Sequence, residues 1–437
     1  MGNIVLEIID IDDSGRGVAK LDKMIYFVEN AKYGETIEAS IIKEKKSFII
    51  AEKIKTLEKS PFIENTKINK NQLCGVYDLY DIEYSKQVEL KKNNIINTIN
   101  RIAGESLTDI KFIEADKRYG YRNKIELKVS LDGKLSSFNR NSYDLINIEN
   151  CVMTTIEISN VIEKLQDLIF KHNLKGYDSL TGEGLLKNVI IRSTSLGETM
   201  GIFVLNKEYN LRKFYIALES SNIFTSFYVS MNSQKNNYKI KDLVHVFGKK
   251  KITEQLGDYR FNISPKAFFQ VNKNMSYKIY LQSQEYIKSL NPTVIIDLYS
   301  GVSTTSIILA KYAKKIVSVE INKDAVKDAK ENAKLNNIEN IEWMDISAER
   351  AIDNIELNGE NTVALFDPPR KGLDQNIIQK IGESKINNLI YISCNPSTLA
   401  RDIKLFKEYG FRLVEVTGID QFVNTIESEV LTLLTRD

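Results

Sequence analysis

From about residue 285 the chain repeats a strand, turn and helix order, and no other feature limits its fold as much. Residues 294–299, 315–319, 339–344, 362–366, 389–393 and 412–417 are short runs rich in β-branched and aromatic side chains, separated by helical stretches such as 325–335. Alternation of this kind calls for a doubly wound parallel sheet. Such a sheet binds ligands beyond the carboxyl ends of its strands, so residues with chemistry to do belong where strands stop.

They fall there. The first strand of the set runs into Asp297-Leu298-Tyr299-Ser300-Gly301, and the second ends at Val319-Glu320. An acid about twenty residues after a glycine turn can accept hydrogen bonds from both hydroxyls of an adenosine ribose. One glycine in place of three argues against a loop that cradles a pyrophosphate, so the spacing favours S-adenosylmethionine over a dinucleotide. Asp367-Pro368-Pro369-Arg370 follows the strand 362–366; two prolines make a stiff loop that holds Asp367 at the sheet edge. Cys394 ends the fifth strand just before a helix whose dipole favours a thiolate. Each has a plain structural alternative: Glu320 as a solvated acid, the prolines as a strand stop, Cys394 as an inert core residue.

The preceding residues divide into two further regions. Residues 4–11, 24–28, 36–42 and 48–54 read as strands with turn signals between them, a small β-barrel. The expected domains are 1–58, 59–260 and 261–437. In the middle region, 85–102 is helical, and 125–130 with 135–140 flank a hairpin turn at Leu131-Asp132-Gly133.

Sixty Lys and Arg against 58 Asp and Glu leave a net charge of +2, so nucleic acid can be held only by local patches. Residues 43–59 carry six lysines and three glutamates, and 235–251 carry six lysines and one aspartate. Three cysteines, Cys74, Cys151 and Cys394, exclude a disulfide framework and a structural zinc site. No basic, apolar leader opens the sequence and no run of about eighteen apolar residues occurs, so a soluble, cytoplasmic protein without membrane contact is expected.

Four motifs stand in order: Ser264-Pro265-Lys266-Ala267-Phe268-Phe269-Gln270-Val271-Asn272, Asp297-Leu298-Tyr299-Ser300-Gly301, Asp367-Pro368-Pro369-Arg370 and Ser393-Cys394-Asn395-Pro396. Together with Tyr121-Arg122-Asn123-Lys124 and Gly184-Leu185-Leu186-Lys187-Asn188-Val189, they resemble the RNA (uracil-5-)-methyltransferase family across nearly the whole chain. The resemblance implies a C-terminal Rossmann-like methyltransferase domain, a central α+β domain and an N-terminal TRAM barrel, of OB-like type, that binds RNA.

It also implies roles. Gln270, Tyr299, Glu320 and Asp367 would bind S-adenosylmethionine, Cys394 would be the nucleophile and Glu429 the base. The closing stretch Asp420-Gln421-Phe422-Val423-Asn424-Thr425-Ile426-Glu427-Ser428-Glu429 departs from the family pattern, with Val423 for a usual Pro and Glu427 for His. Many members hold an iron–sulfur cluster on four cysteines; here only Cys74 and Cys151 match, and they read as small buried hydrophobes, so no cluster and no metal are expected. The long form with its barrel favours 23S rRNA over tRNA, with the protein a monomer. Competing readings are an amino-group methyltransferase, suggested by Asp-Pro-Pro, and an RNA-binding protein with a decayed site.

Overall fold

The computed structural model describes residues 3–12, 14–69, 72–75, 77–138, 144–357, 359 and 361–437. Residues 139 and 140, the expected end of the second hairpin strand, lie outside them, as does Val76.

The first layer is a six-stranded sheet of Asn3–Glu7, Asp10–Ile11, Gly17–Leu21, Met24–Glu29, Thr36–Glu44 and Phe48–Glu58. Asn3–Glu7 and Asp10–Ile11 stand at opposite edges though nearly continuous in sequence. The sheet therefore curls until Ile9 N–H reaches the Val18 carbonyl at 2.8 Å. Leu6, Ile8, Val28, Ile37 and Ala51 fill its interior. Gly17–Leu21 was not among the expected strands; its five residues leave little room for a period-2 signal.

The central layer has seven strands, in the order Leu145–Asn147, Leu135–Phe138, Lys124–Val129, Leu186–Ser193, Thr199–Leu205, Ser226–Met231 and Asp242–Gly248. Leu186–Ser193 and Thr199–Leu205 are buried at every position, and strand alternation divides their side chains between two cores. Val189, Ile191, Phe203 and Leu205 pack with the helices Ile156–Lys171 and Arg212–Ser220. Ile190, Met200, Ile202 and Val204 face the other way, into the core shared with the C-terminal layer.

The C-terminal sheet has eight strands in the order Ile341–Met344, Lys315–Val319, Val294–Leu298, Thr362–Phe366, Asn388–Ser393, Glu429–Thr435, Arg412–Ile419 and Lys111–Ile113. The first five are mutually parallel, as the alternation predicts. Glu429–Thr435 then enters antiparallel to both of its neighbours, so the sheet is mixed. No strand was expected over these residues, although their apolar run is long enough for one.

The segment 84–113 lies with this sheet and not with the central one. Helix Tyr84–Ala103 packs on helix Pro396–Lys407, and Lys111–Ile113 pairs in parallel with Arg412–Ile419. The hairpin Ile252–Leu256 and Tyr259–Ile263 also joins the C-terminal core. Segments on both sides of residue 261 thus contribute to the C-terminal core.

Two further differences concern charge and sulfur. Lys249 pairs with Glu198, and Lys251 with Asp328 and Glu331, so part of the 235–251 lysine run serves internal contacts. Cys74 and Cys151, expected as separate apolar fillers, are joined as a disulfide with their Cα atoms 5.5 Å apart. Spacing along a sequence cannot reveal that pairing across 77 residues. No helix of the described residues is long and apolar enough to cross a membrane.

Lys91 of helix Tyr84–Ala103 reaches Asp420 at 2.5 Å, and both side chains are fully buried. Removing one partner of such a pair strands a charge. Lys91→Met should lower the unfolding free energy by about 3–5 kcal/mol. Lys91→Met with Asp420→Asn should recover more than half of that loss, both measured by urea denaturation.

Candidate active site

The turn after Val294–Leu298 is the first element of the site. Tyr299, Gly301 and Ser303 all have positive φ, at 67°, 56° and 56°, a conformation that costs a tyrosine energy and is tolerated where function demands it. A side chain at Gly301 would meet no atom within 4 Å, so the glycine borders open space. Glu320, at the end of Lys315–Val319, accepts the Gly301 N–H at 2.9 Å and the Asn322 N–H at 2.7 Å. These bonds hold its carboxylate against the turn. The Tyr299 hydroxyl donates to Glu349 at 3.2 Å.

The loop 264–272 forms a second wall. Asn123, at the start of a central strand, donates from Nδ2 to the Gln270 carbonyl at 3.0 Å. Gln421 Nε2 donates to Gln270 Oε1 at 3.2 Å, and Asn272, which caps helix Lys273–Leu290, donates to the Gln421 carbonyl at 3.2 Å. Phe269 is buried, whereas Phe268 is 68% exposed at the rim. The pair thus divides between core and surface.

The loop 420–428 brings in Glu429. Asp420 accepts from Lys91 and from the Tyr84 hydroxyl at 2.8 Å. Lys91 also donates to the Phe422 carbonyl at 2.9 Å, and the Tyr121 hydroxyl to the Val423 carbonyl at 3.0 Å. Asn424, at φ 66°, is held by Leu79 N–H, Gln87 Nε2 and the Arg118 carbonyl. Val423 is fully buried where the family pattern has Pro, its course fixed by these partners instead of by a ring. Glu427 forms an ion pair with Arg370.

All six sequence-predicted residues line one cleft of about 510 Å³: Gln270, Tyr299, Glu320, Asp367, Cys394 and Glu429. Tyr280, Phe422 and Arg370 complete its walls. Tyr280 carried no signal of its own, sitting in an ordinary amphipathic helix, and Phe422 entered only as part of the closing stretch 420–429. Cys394 also borders a smaller alcove of about 110 Å³ on the side of helix Tyr84–Ala103.

The cleft is electrostatically unusual. Burial pushes Glu429 well above the usual carboxylate range, with Asp367 and Glu427 adding to the effect. Burial likewise raises Asp367 and, with repulsion from Asp367 and Glu320, Asp297 to about 7. The Cys394 thiol rises to about 11 through burial first and then Glu429, against the opposing pull of Arg370. Desolvation thus outweighs the pull of the helix dipole toward a thiolate. A surplus of buried carboxyl groups suits a cationic ligand.

Comparison with known proteins identifies the family. A family profile described as tRNA (Uracil-5-)-methyltransferase matches residues 83–437. A Lactobacillus johnsonii protein named an uncharacterized RNA methyltransferase is 34% identical, covering 99% of this chain and 98% of its own. An Enterococcus faecalis protein of the same description is 33% identical over 99% and 97%. Among solved structures, Pyrococcus abyssi tRNA (uracil-54, C5)-methyltransferase in complex with S-adenosyl-L-homocysteine superposes with a TM-score of 0.81 at 24% identity, covering 99% of this chain and 100% of that one. The chain belongs to the S-adenosylmethionine-dependent RNA (uracil-5-)-methyltransferase family.

Proposed function

We propose that the protein methylates C5 of a uridine in 23S rRNA, with Cys394 as nucleophile and Glu429 as base. What carries this reading is the meeting of Cys394 and Glu429 with Gln270, Tyr299, Glu320 and Asp367 around one cleft at the ends of the strands. Glu320, fixed by two backbone donors, would receive the ribose hydroxyls, while Gln270, Tyr299 and Asp367 would hold the rest of the cofactor. Bound there, S-adenosylmethionine supplies a methyl group on a sulfonium whose positive charge offsets the buried carboxyl groups.

Uracil C5 is a poor nucleophile until electron density is pushed onto it. The Cys394 thiol, once deprotonated, adds to C6 and does so; covalent catalysis of this kind splits one hard step into easier ones. Glu429, having lost its own proton to solvent once a sulfonium charge occupies the cleft, would then remove the C5 proton from the methylated ring, and the C6–S bond would break to return the sulfur. The uridine has to leave its stack to present both atoms. The N-terminal sheet and the exposed lysines would hold flanking RNA through its phosphates.

A tRNA substrate is the second reading, favoured by one observation. The Pyrococcus abyssi tRNA enzyme is matched along its whole length, the N-terminal sheet included, so the long form also occurs in an enzyme that acts on transfer RNA.

RNA carrying 5-fluorouridine, incubated with S-adenosylmethionine, should remain bonded to the wild-type protein and not to Cys394→Ala, as read by denaturing gel. Glu429→Gln should lower turnover by about a hundredfold or more and accumulate the adduct on ordinary uridine. Mapping 5-methyluridine in cells with and without the gene should reveal one loss in 23S rRNA; a loss confined to tRNA would replace the substrate. Stability supplies an independent check. A carboxyl group raised on folding imposes no cost below its unfolded value and an increasing one as pH rises toward its folded value. The melting temperature of the cofactor-free protein should therefore fall between about pH 5 and pH 8, and Glu429→Gln should flatten that slope.

A further inference from the structure

The alcove beside Cys394 contains three groups that the mechanism above leaves unused. Arg370, Glu427 and Ser428 line it together with the sulfur. The Ser428 hydroxyl is buried and has no hydrogen-bond partner among the described residues, an arrangement that native proteins rarely leave unfilled. Arg370 Nη2 donates to Glu427 Oε1. Each carboxylate oxygen accepts more than one hydrogen bond, so Glu427 retains acceptor capacity after this pairing.

The alcove lies on the side from which RNA would arrive. Ile426, another of its lining residues, packs into the core of the N-terminal sheet together with Leu90 of helix Tyr84–Ala103. The cleft proposed for the cofactor is lined by Glu320 and Tyr299, which the alcove lacks. Ser428 lines the alcove and its neighbour Glu429 the cleft, while Cys394 and Arg370 border both. A base entering by the alcove would therefore meet the sulfur where the two spaces adjoin.

We propose that Arg370, Glu427 and Ser428 form the reading edge for the target uracil, with Glu427 the residue that rejects cytosine. The hydrogen-bonding edge of uracil runs acceptor, donor, acceptor through O2, N3–H and O4. A guanidinium, a carboxylate and a hydroxyl supply donor, acceptor, donor, with the Glu427 carboxylate receiving N3–H. Cytosine presents a lone pair at N3, which would face that carboxylate unpaired, and a site built to bond one group discriminates strongly against its absence. The residue at which the sequence departs from the family pattern, Glu427 for His, thereby acquires a role in specificity. The inference rests on the methyltransferase reading of the site, though its test does not require turnover.

The probe is a hexaadenylate RNA with a single uridine or cytidine at its fourth position, bound to the full-length protein saturated with S-adenosylhomocysteine. Both share the same phosphates, so the electrostatic part of binding cancels. By fluorescence anisotropy the wild type should prefer uridine over cytidine by about tenfold to a hundredfold, the range expected for a hydrogen bond to a charged group. Glu427→Gln, whose amide can both donate and accept, should bring the two affinities within about threefold. Its melting temperature, close to wild type for this partly exposed position, establishes folding. Equal binding of uridine and cytidine by the wild type, or a preference that survives in Glu427→Gln, overturns the proposal. Loss of preference in the variant without any Cys394 adduct in the 5-fluorouridine assay would sustain the reading edge and reject the methylation chemistry.

Discussion

The buried link between Lys91 and Asp420 holds the rest of the site in register. Two opposite charges out of solvent are stable only when their remaining valences are filled, and here the Tyr84 hydroxyl and the Phe422 carbonyl fill them. The link ties a helix near the N-terminal sheet to the loop that delivers Glu429. Gln87, Arg118 and Tyr121, neighbours of Lys91 in sequence or space, bind the same loop further along. A loop without regular structure thus obtains a single course from groups about 300 residues earlier.

Beside this hydrogen-bonded support, the cleft concentrates buried acids. Asp297, Asp367 and Glu429 are all buried acids whose ionisation the surroundings oppose. Folding would be easier with apolar side chains in their place. Proteins retain such local conflict where function requires it, and a pocket crowded with protons at rest is ready for a ligand that brings positive charge. Cys394 shares that environment, which raises its thiol as well.

The parallel core of the C-terminal sheet was legible because each strand is a short apolar run ending in a polar residue at a turn; Lys315–Val319 and Thr362–Phe366 fall where the pattern put them. Tyr299, Glu320, Asp367 and Cys394 were legible from strand-end placement, whereas Gln270 and Glu429 entered only through the family resemblance, Glu429 by the closing stretch 420–429. Glu429–Thr435 was missed because a motif for chemistry occupies its first residue and drew the reading away from strand formation. The place of 84–113 could not be seen at all: a helix and a three-residue strand show nothing in their own sequence about which distant sheet they complete. Nor could the state of Cys394, which depends on Glu429 and Arg370 brought beside it only by folding. The central strands Leu186–Ser193 and Thr199–Leu205, apolar on both faces, hid their alternation because both faces are buried.

Strand order carries one last implication. Glu429–Thr435 lies between Asn388–Ser393 and Arg412–Ile419, both of which leave the ribosome before it. Until it arrives, the nascent chain presents two facing rows of unpaired amide and carbonyl groups across a gap one strand wide. Exposed edges of this kind recruit whatever extended polypeptide is at hand. A chain in which this one strand is undocked therefore offers two adjacent edges to other polypeptides, and its docking closes both at once.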